Sequence, residues 1–143
     1  TTNITGTNAT VSSNLARVDE QTNVYIGSGM SVSSGIWTFP TTGIWRVTCS
    51  PNWQVANGDS SCFLLCYFTT DNSSYTQLMN MESGNQGGSA ISSQSYKSAL
   101  LDVTDTTQVK LRFDTFGLGG STILIGSPDI VATSFEFIKL GDT

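Results

Sequence analysis

Proton transfer near neutral pH usually falls to histidine, and none of the 143 residues is a histidine. Its absence removes the Ser-His-Asp and Cys-His nucleophile schemes and most zinc sites. A Ser–Lys pair could still supply a nucleophile. The residues three before Lys97, Lys110 and Lys139 are Gln94, Thr107 and Glu136, so no Ser-x-x-Lys spacing exists. Two spaced carboxylates could hydrolyse a glycoside. Asp19 and Glu20 are adjacent, and neighbours in a strand project to opposite sides. Asp102 and Asp105 flank a polar stretch and read as turn formers. No catalytic residue is assigned, and the chain reads as a non-enzyme.

Binding chemistry is sparse too. The glycine loops at 84–88 and 117–120 lack the strand-to-helix context and the lysine of a phosphate cradle. Calcium could use the carboxylates of Asp71, Asp105, Asp114 and Asp129, but their spacing matches no calcium loop. No metal and no cofactor is assigned. Asn3, Asn8 and Asn72 fit the glycosylation acceptor pattern, as chance allows in a chain this rich in Asn and Thr. Cys62 and Cys66 lie about 13 Å apart along a strand, beyond disulfide reach. Cys49 could meet either. The three cysteines read as buried reduced thiols. Trp37, Trp45 and Trp53 have aliphatic neighbours and read as core, which leaves Tyr25, Tyr75 and Tyr96 as candidate ligand contacts, for instance by stacking on a sugar.

The elements that would position these residues are strands. Charged residues are only 12% of the chain, about half the usual share, and Ser, Thr, Asn and Gly fill the polar places. Eleven acidic and six scattered basic residues leave a net charge of −5 with no basic patch, which argues against a nucleic-acid partner. No apolar run approaches the roughly 20 residues of a membrane helix, so no membrane insertion is expected. No signal peptide is visible, although a mature secreted chain would look the same.

Residues 1–14 are polar and low in complexity and read as an N-terminal arm, with residues 15–143 as the domain. Strand candidates are 15–19, 23–26, 35–39, 45–50 with a break at Pro51, 61–69, 78–81, 95–103, 108–114, 123–125 and 130–140. The clearest alternation puts Val109, Leu111 and Phe113 inward and Lys110, Arg112 and Asp114 outward, so Arg112 is expected to tolerate substitution. About nine or ten short strands at this spacing predict an all-β sandwich.

The run Phe39-Pro40-Thr-Thr-Gly43-Ile-Trp45 is a tight reversal between two strands, because proline presets φ and glycine opens the left-handed region. It matches an aromatic-Pro-x-x-Gly-x-aromatic signature. With Gln108-Val-Lys-Leu111 and Ser134-Phe-Glu-Phe-Ile138 following in order, residues 15–141 resemble the C1q/tumour-necrosis-factor-like jelly-roll family. The usual Gly-Asp before the first of these strands and the Gly of the last are missing. The resemblance implies a jelly roll, a homotrimer and a binding role.

Strands 61–69 and 130–140 are apolar on both faces, whereas a sandwich strand has one core side. The second face needs another cover, and a subunit interface built on Phe63, Leu65, Tyr67, Phe135 and Phe137, or on their opposite-face neighbours, is expected. These features suggest a structural virion protein, a trimeric decoration or cement protein on a bacteriophage capsid, with the arm lying on a neighbour. The alternatives are a receptor-binding fibre tip that recognises host carbohydrate and an extracellular, secreted recognition module.

Overall fold

The Pro40–Gly43 reversal sets the two layers of the fold. Phe39 before it and Trp45 after it are both buried, with ring centroids 5.3 Å apart. The Trp45 indole Nε1 donates to the Thr41 carbonyl at 3.1 Å, tying the turn to its exit strand. Gly43 has φ +135°, and a Cβ there would run into the Gly141 carbonyl and the Lys139 side chain, so only glycine fits.

The computed structural model describes residues 3–6, 8–17, 27–127 and 129–143. Among these, every regular element is a strand: β1 (Ile4–Thr5), β2 (Ser31–Ser33), β3 (Ile36–Thr38), β4 (Gly43–Ser50), β5 (Asn52–Val55), β6 (Cys62–Thr69), β7 (Thr76–Ser83), β8 (Ile91–Gln94), β9 (Lys97–Val103), β10 (Lys110–Phe116), β11 (Ile123–Leu124) and β12 (Ser134–Gly141). All pairings are antiparallel. Five strands form one sheet in the order β2-β3-β10-β6-β7, and two smaller sheets run β12-β4-β9 and β1-β11-β5-β8.

The smaller sheets make one layer. β4 and β5 are a single strand broken at Pro51, which cannot donate to a ladder. Alternation survives the break, since Val47, Cys49, Trp53 and Val55 are all fully buried. The opposing break between β8 and β9 closes onto it, with Ser95 N donating to the Pro51 carbonyl. This layer packs on the five-stranded sheet through aromatics. Trp37 of β3 meets Phe137 of β12 at 5.1 Å, and Phe113 of β10 meets Phe135 of β12 at 4.3 Å.

The N-terminal segment differs from the expected free arm. Ile4 and Thr5 pair with Leu124 and Ile123. Val11 N donates to the Phe113 carbonyl at 2.8 Å and Thr115 N to the Ala9 carbonyl at 2.9 Å. Thr10 Oγ1 donates to Asp114, and Val11 enters the core. The described part of residues 1–14 therefore lies on its own sandwich. The segment docks because the end of β10 offers an open ladder edge that β3 does not reach. The acceptor asparagines take part in this docking: Asn3 Oδ1 accepts from Gly126 N and Asn8 Oδ1 from Leu118 N.

Of the strand expected at 15–19, residues 15–17 are not in a strand. Its last two residues and the strand expected at 23–26 lie outside the described residues. Strands β1, β2 and β8 were not expected, and β7 runs well beyond 78–81. β1, β2 and β8 are polar or very short and carry no alternation to read, and the residues that extend β7, Thr76, Gln77, Glu82 and Ser83, are polar.

Candidate functional site: an apolar outer face

The outer face of the β12-β4-β9 sheet is built by register. Arg46 of β4 stands between Leu100 of β9 and Ile138 of β12. Thr48 stands between Ser98 and Glu136, and Ile44 lies opposite Asp102. Inward, the same strands commit Trp45, Val47, Leu101 and Val103 to the core. Outward they expose Leu100 at 62% and Ile138 at 36%, with Ile44 half-buried among them; Tyr96, exposed at 66%, lies just before β9, and Leu140, exposed at 54%, is the unpaired residue where the β12 register shifts. The face carries one exposed ion pair, Arg46 Nη2 to Glu136 Oε1 at 3.5 Å. The Arg46 Nε is buried and has no hydrogen-bond partner among the described residues.

The expected interface residues fall on different surfaces. Phe135 and Phe137 point into the sandwich, where their rings meet Trp37 and Phe113. The aromatic side of β12 is its core side, and Ile138 is what it offers outward beside Arg46, with Leu140 exposed at the bulge that follows. On β6, Cys62, Leu64 and Cys66 face the core while Phe63, Leu65 and Tyr67 lie half-buried on the outside of the five-stranded sheet. Neighbours of the same chain cover part of that outer face. Phe63 packs on Phe116 at 6.2 Å, and Arg112 lies 5.0 Å over the Tyr67 ring. The register at Tyr67 is shifted by a bulge opposite β7.

Tyr75 also reaches Arg112, which stands 4.7 Å from its ring. Arg112 is thus stacked by two tyrosines and paired with Asp114 at 3.0 Å, and Asp114 in turn accepts from Thr10. Burial raises the Tyr75 phenol above its ordinary value, against the opposing pull of Arg112. Tyr96 stands apart from this group, on the β12-β4-β9 side. Tyr25 lies outside the described residues.

The loop carboxylates serve turns. Asp71 Oδ1 accepts from Ser74 N at 2.7 Å, Thr69 Oγ1 at 2.7 Å and Ser73 N at 2.9 Å, and these bonds hold it well below the usual carboxylate range. The Thr107 hydroxyl and amide lower Asp105 in the same way. Among the described residues no three His, Cys, Asp or Glu side chains gather as a metal site. No helix there is long and apolar enough to cross a membrane.

A cleft of about 1160 Å³ runs along the inner side of β12, lined by Trp37, Trp45, Phe135 and Phe137. Arg17 and Gly27 also line it, and the chain between them is outside the described residues, so the cleft is assigned no ligand.

The exposed face was readable only in part. Two-sided apolar character on β12 signalled a second cover, but Leu100 and Tyr96 sit among Ser, Lys and Asp in a strand that reads as ordinary.

The fold is the tumour-necrosis-factor-like jelly roll. The structure of Eiger TNF from S. frugiperda superposes with a TM-score of 0.63 at 13% identity, over 80% of this chain and 70% of that one. Murine APRIL at pH 5.0 superposes with a TM-score of 0.62 at 12% identity, over 80% of each chain. No protein-family model and no curated protein sequence matches the chain.

Proposed function

We propose that this chain is a non-enzymatic module that assembles as a homotrimer through the outer face of β12-β4-β9 and presents the remaining surface to a large partner. One observation carries the reading. Leu100 of β9 and Ile138 of β12 stand exposed on either side of Arg46, with Tyr96 and Leu140 exposed at the ends of those strands, on a sheet whose other face packs toward the core. Such a patch favours burial against another copy. The lack of histidine and of a Ser-x-x-Lys spacing supports a role without catalysis.

The specific role we propose is structural, as a decoration or cement protein on a virion surface. The low share of charged residues supports a protein that sits packed among copies of itself. An extracellular recognition module is the second reading, supported by the fold shared with Eiger TNF and APRIL.

Light scattering on the purified chain tests the assembly. A trimer is expected at micromolar concentration, and Leu100→Asp is expected to yield a folded monomer. A wild-type monomer overturns the reading, as does an L100D variant that stays trimeric. Co-sedimentation with virus particles, against binding to a cell-surface protein, separates the two roles.

A further inference from the structure

The two halves of the sandwich place a pair of thiols against each other. Cys49 belongs to β4 and Cys66 to β6, one from each layer. The cross-strand partner of Cys49 on β12 is Phe135, and that of Cys66 on β10 is Phe113. Those two rings meet at 4.3 Å, so the layers touch at this level of the core. Both cysteines are fully buried and unbridged. The neighbouring Cys66 thiol and burial together push Cys49 well above the ordinary thiol range. Cys62 is set apart. It sits four residues from Cys66 along the same strand, about 13 Å away at 3.3 Å per residue, and its cross-strand neighbour is Ser83.

We propose that Cys49 and Cys66 are the site of an inter-layer disulfide, made or left unmade while the chain folds. The oxidant is a small-molecule disulfide of the glutathione class. Before the core closes, the Cys66 thiolate attacks the oxidant's S–S bond, forming a mixed disulfide and releasing one glutathione thiolate. The Cys49 thiolate then attacks the Cys66 sulfur, forming the Cys49–Cys66 bond and expelling the second. The cysteine pair loses two electrons, the oxidant gains two, and the two cysteine protons pass through solvent to the departing thiolates.

Closure ends the exchange. With both sulfurs fully buried, neither oxidant nor reductant reaches them, and a protonated Cys49 is no nucleophile. The pair therefore keeps the redox state of the compartment in which the chain folded. The selectivity is specific: of the three pairings that three cysteines allow, only 49–66 brings facing residues together.

The experiment starts from full-length chain unfolded in denaturant and reductant. It is refolded in a mixture of reduced and oxidised glutathione, then unfolded without reductant, alkylated with iodoacetamide and mapped by mass spectrometry. The expected result is alkylation at Cys62 alone, a cross-linked Cys49–Cys66 peptide, and a higher thermal midpoint than the chain refolded in reductant. The bond should resist reductant until denaturant is added. Three alkylated cysteines overturn the proposal, as does any cross-link to Cys62. Cys62→Ala keeps only the pair: a fully blocked, unalkylated chain is expected, and two alkylated thiols overturn it.

Discussion

The ring of Phe113 and the ring of Phe135 lie 4.3 Å apart, one from the centre of the five-stranded sheet and one from the edge of the facing layer. Phe113 is fully buried and Phe135 half-buried, so the contact joins the deepest part of the core to its rim. Phe113→Ala is expected to cost about 3–5 kcal/mol, and Phe135→Ala less. The double variant should lose about 0.5–1.5 kcal/mol less than the sum. Urea titrations of the four proteins measure this. Strict additivity would mean the rings do not stabilise each other.

Arg112 points outward, as its alternation requires, but it is not idle. Its guanidinium is stacked by Tyr67 and Tyr75 and paired with Asp114. Arg112→Glu removes both interactions and sets a like charge beside Asp114. The expected loss is about 1–2 kcal/mol, where a solvated strand position would show about 0.5 kcal/mol or less. Arg112→Lys should fall between, because lysine keeps the charge and loses the planar stack. A denaturant midpoint unchanged by the Glu variant would show that the stack contributes nothing.

The N-terminal segment is part of the sandwich, and its removal should be felt in stability. Val11→Ala is expected to cost about 1–2 kcal/mol from lost burial. Deleting residues 1–14 should cost more, since it also strips the ladder bonds to Phe113 and Thr115 and the pairing to β11. Thermal melts of the wild type, Val11→Ala and the deletion provide the comparison. A deletion as stable as the wild type would refute the docking.

Acid should weaken the fold through its turns. Asp71 is ionised more readily when folded, because three donors converge on one oxygen. A carboxyl whose folded pKa is depressed contributes its full stability above the unfolded value of about 3.9 and loses it as pH falls below that. Asp105 shifts in the same direction. Denaturant midpoints should hold from neutral pH down to about 4 and then decline. Asp71→Asn should lower the neutral-pH midpoint and flatten the acid decline. An acid decline of the same depth in the variant would remove Asp71 as its cause.

Much of this was legible in local pattern. The strand at 108–114 names its own faces, and Val109, Leu111 and Phe113 are all in the core. The aromatic-Pro-x-x-Gly-x-aromatic turn is encoded in seven consecutive residues, because φ preferences act within the turn itself. The break at Pro51 follows from a missing N–H. The burial of all three tryptophans followed from their aliphatic neighbours.

What escaped the pattern depends on partners distant in sequence. Alternation shows that β6 and β12 each have two apolar faces, but not which one the facing layer will cover. On β12 the layer covers Phe135 and Phe137 and leaves Ile138 and Leu140 outside. Arg112 looked solvated because Tyr67 and Tyr75 are more than thirty residues away. The arm looked free because the open edge of β10 lies a hundred residues downstream. Cys49 and Cys66 meet only because two sheets are stacked. By itself the chain determined a β-sandwich with its turns, its periodic faces and no histidine, since φ preference, side-chain period and composition are properties of a few neighbours or of none. The choice of inner face, the docked arm, the stacked arginine, the facing thiols and the exposed assembly surface were decided by tertiary structure, because burial is set by what packs opposite.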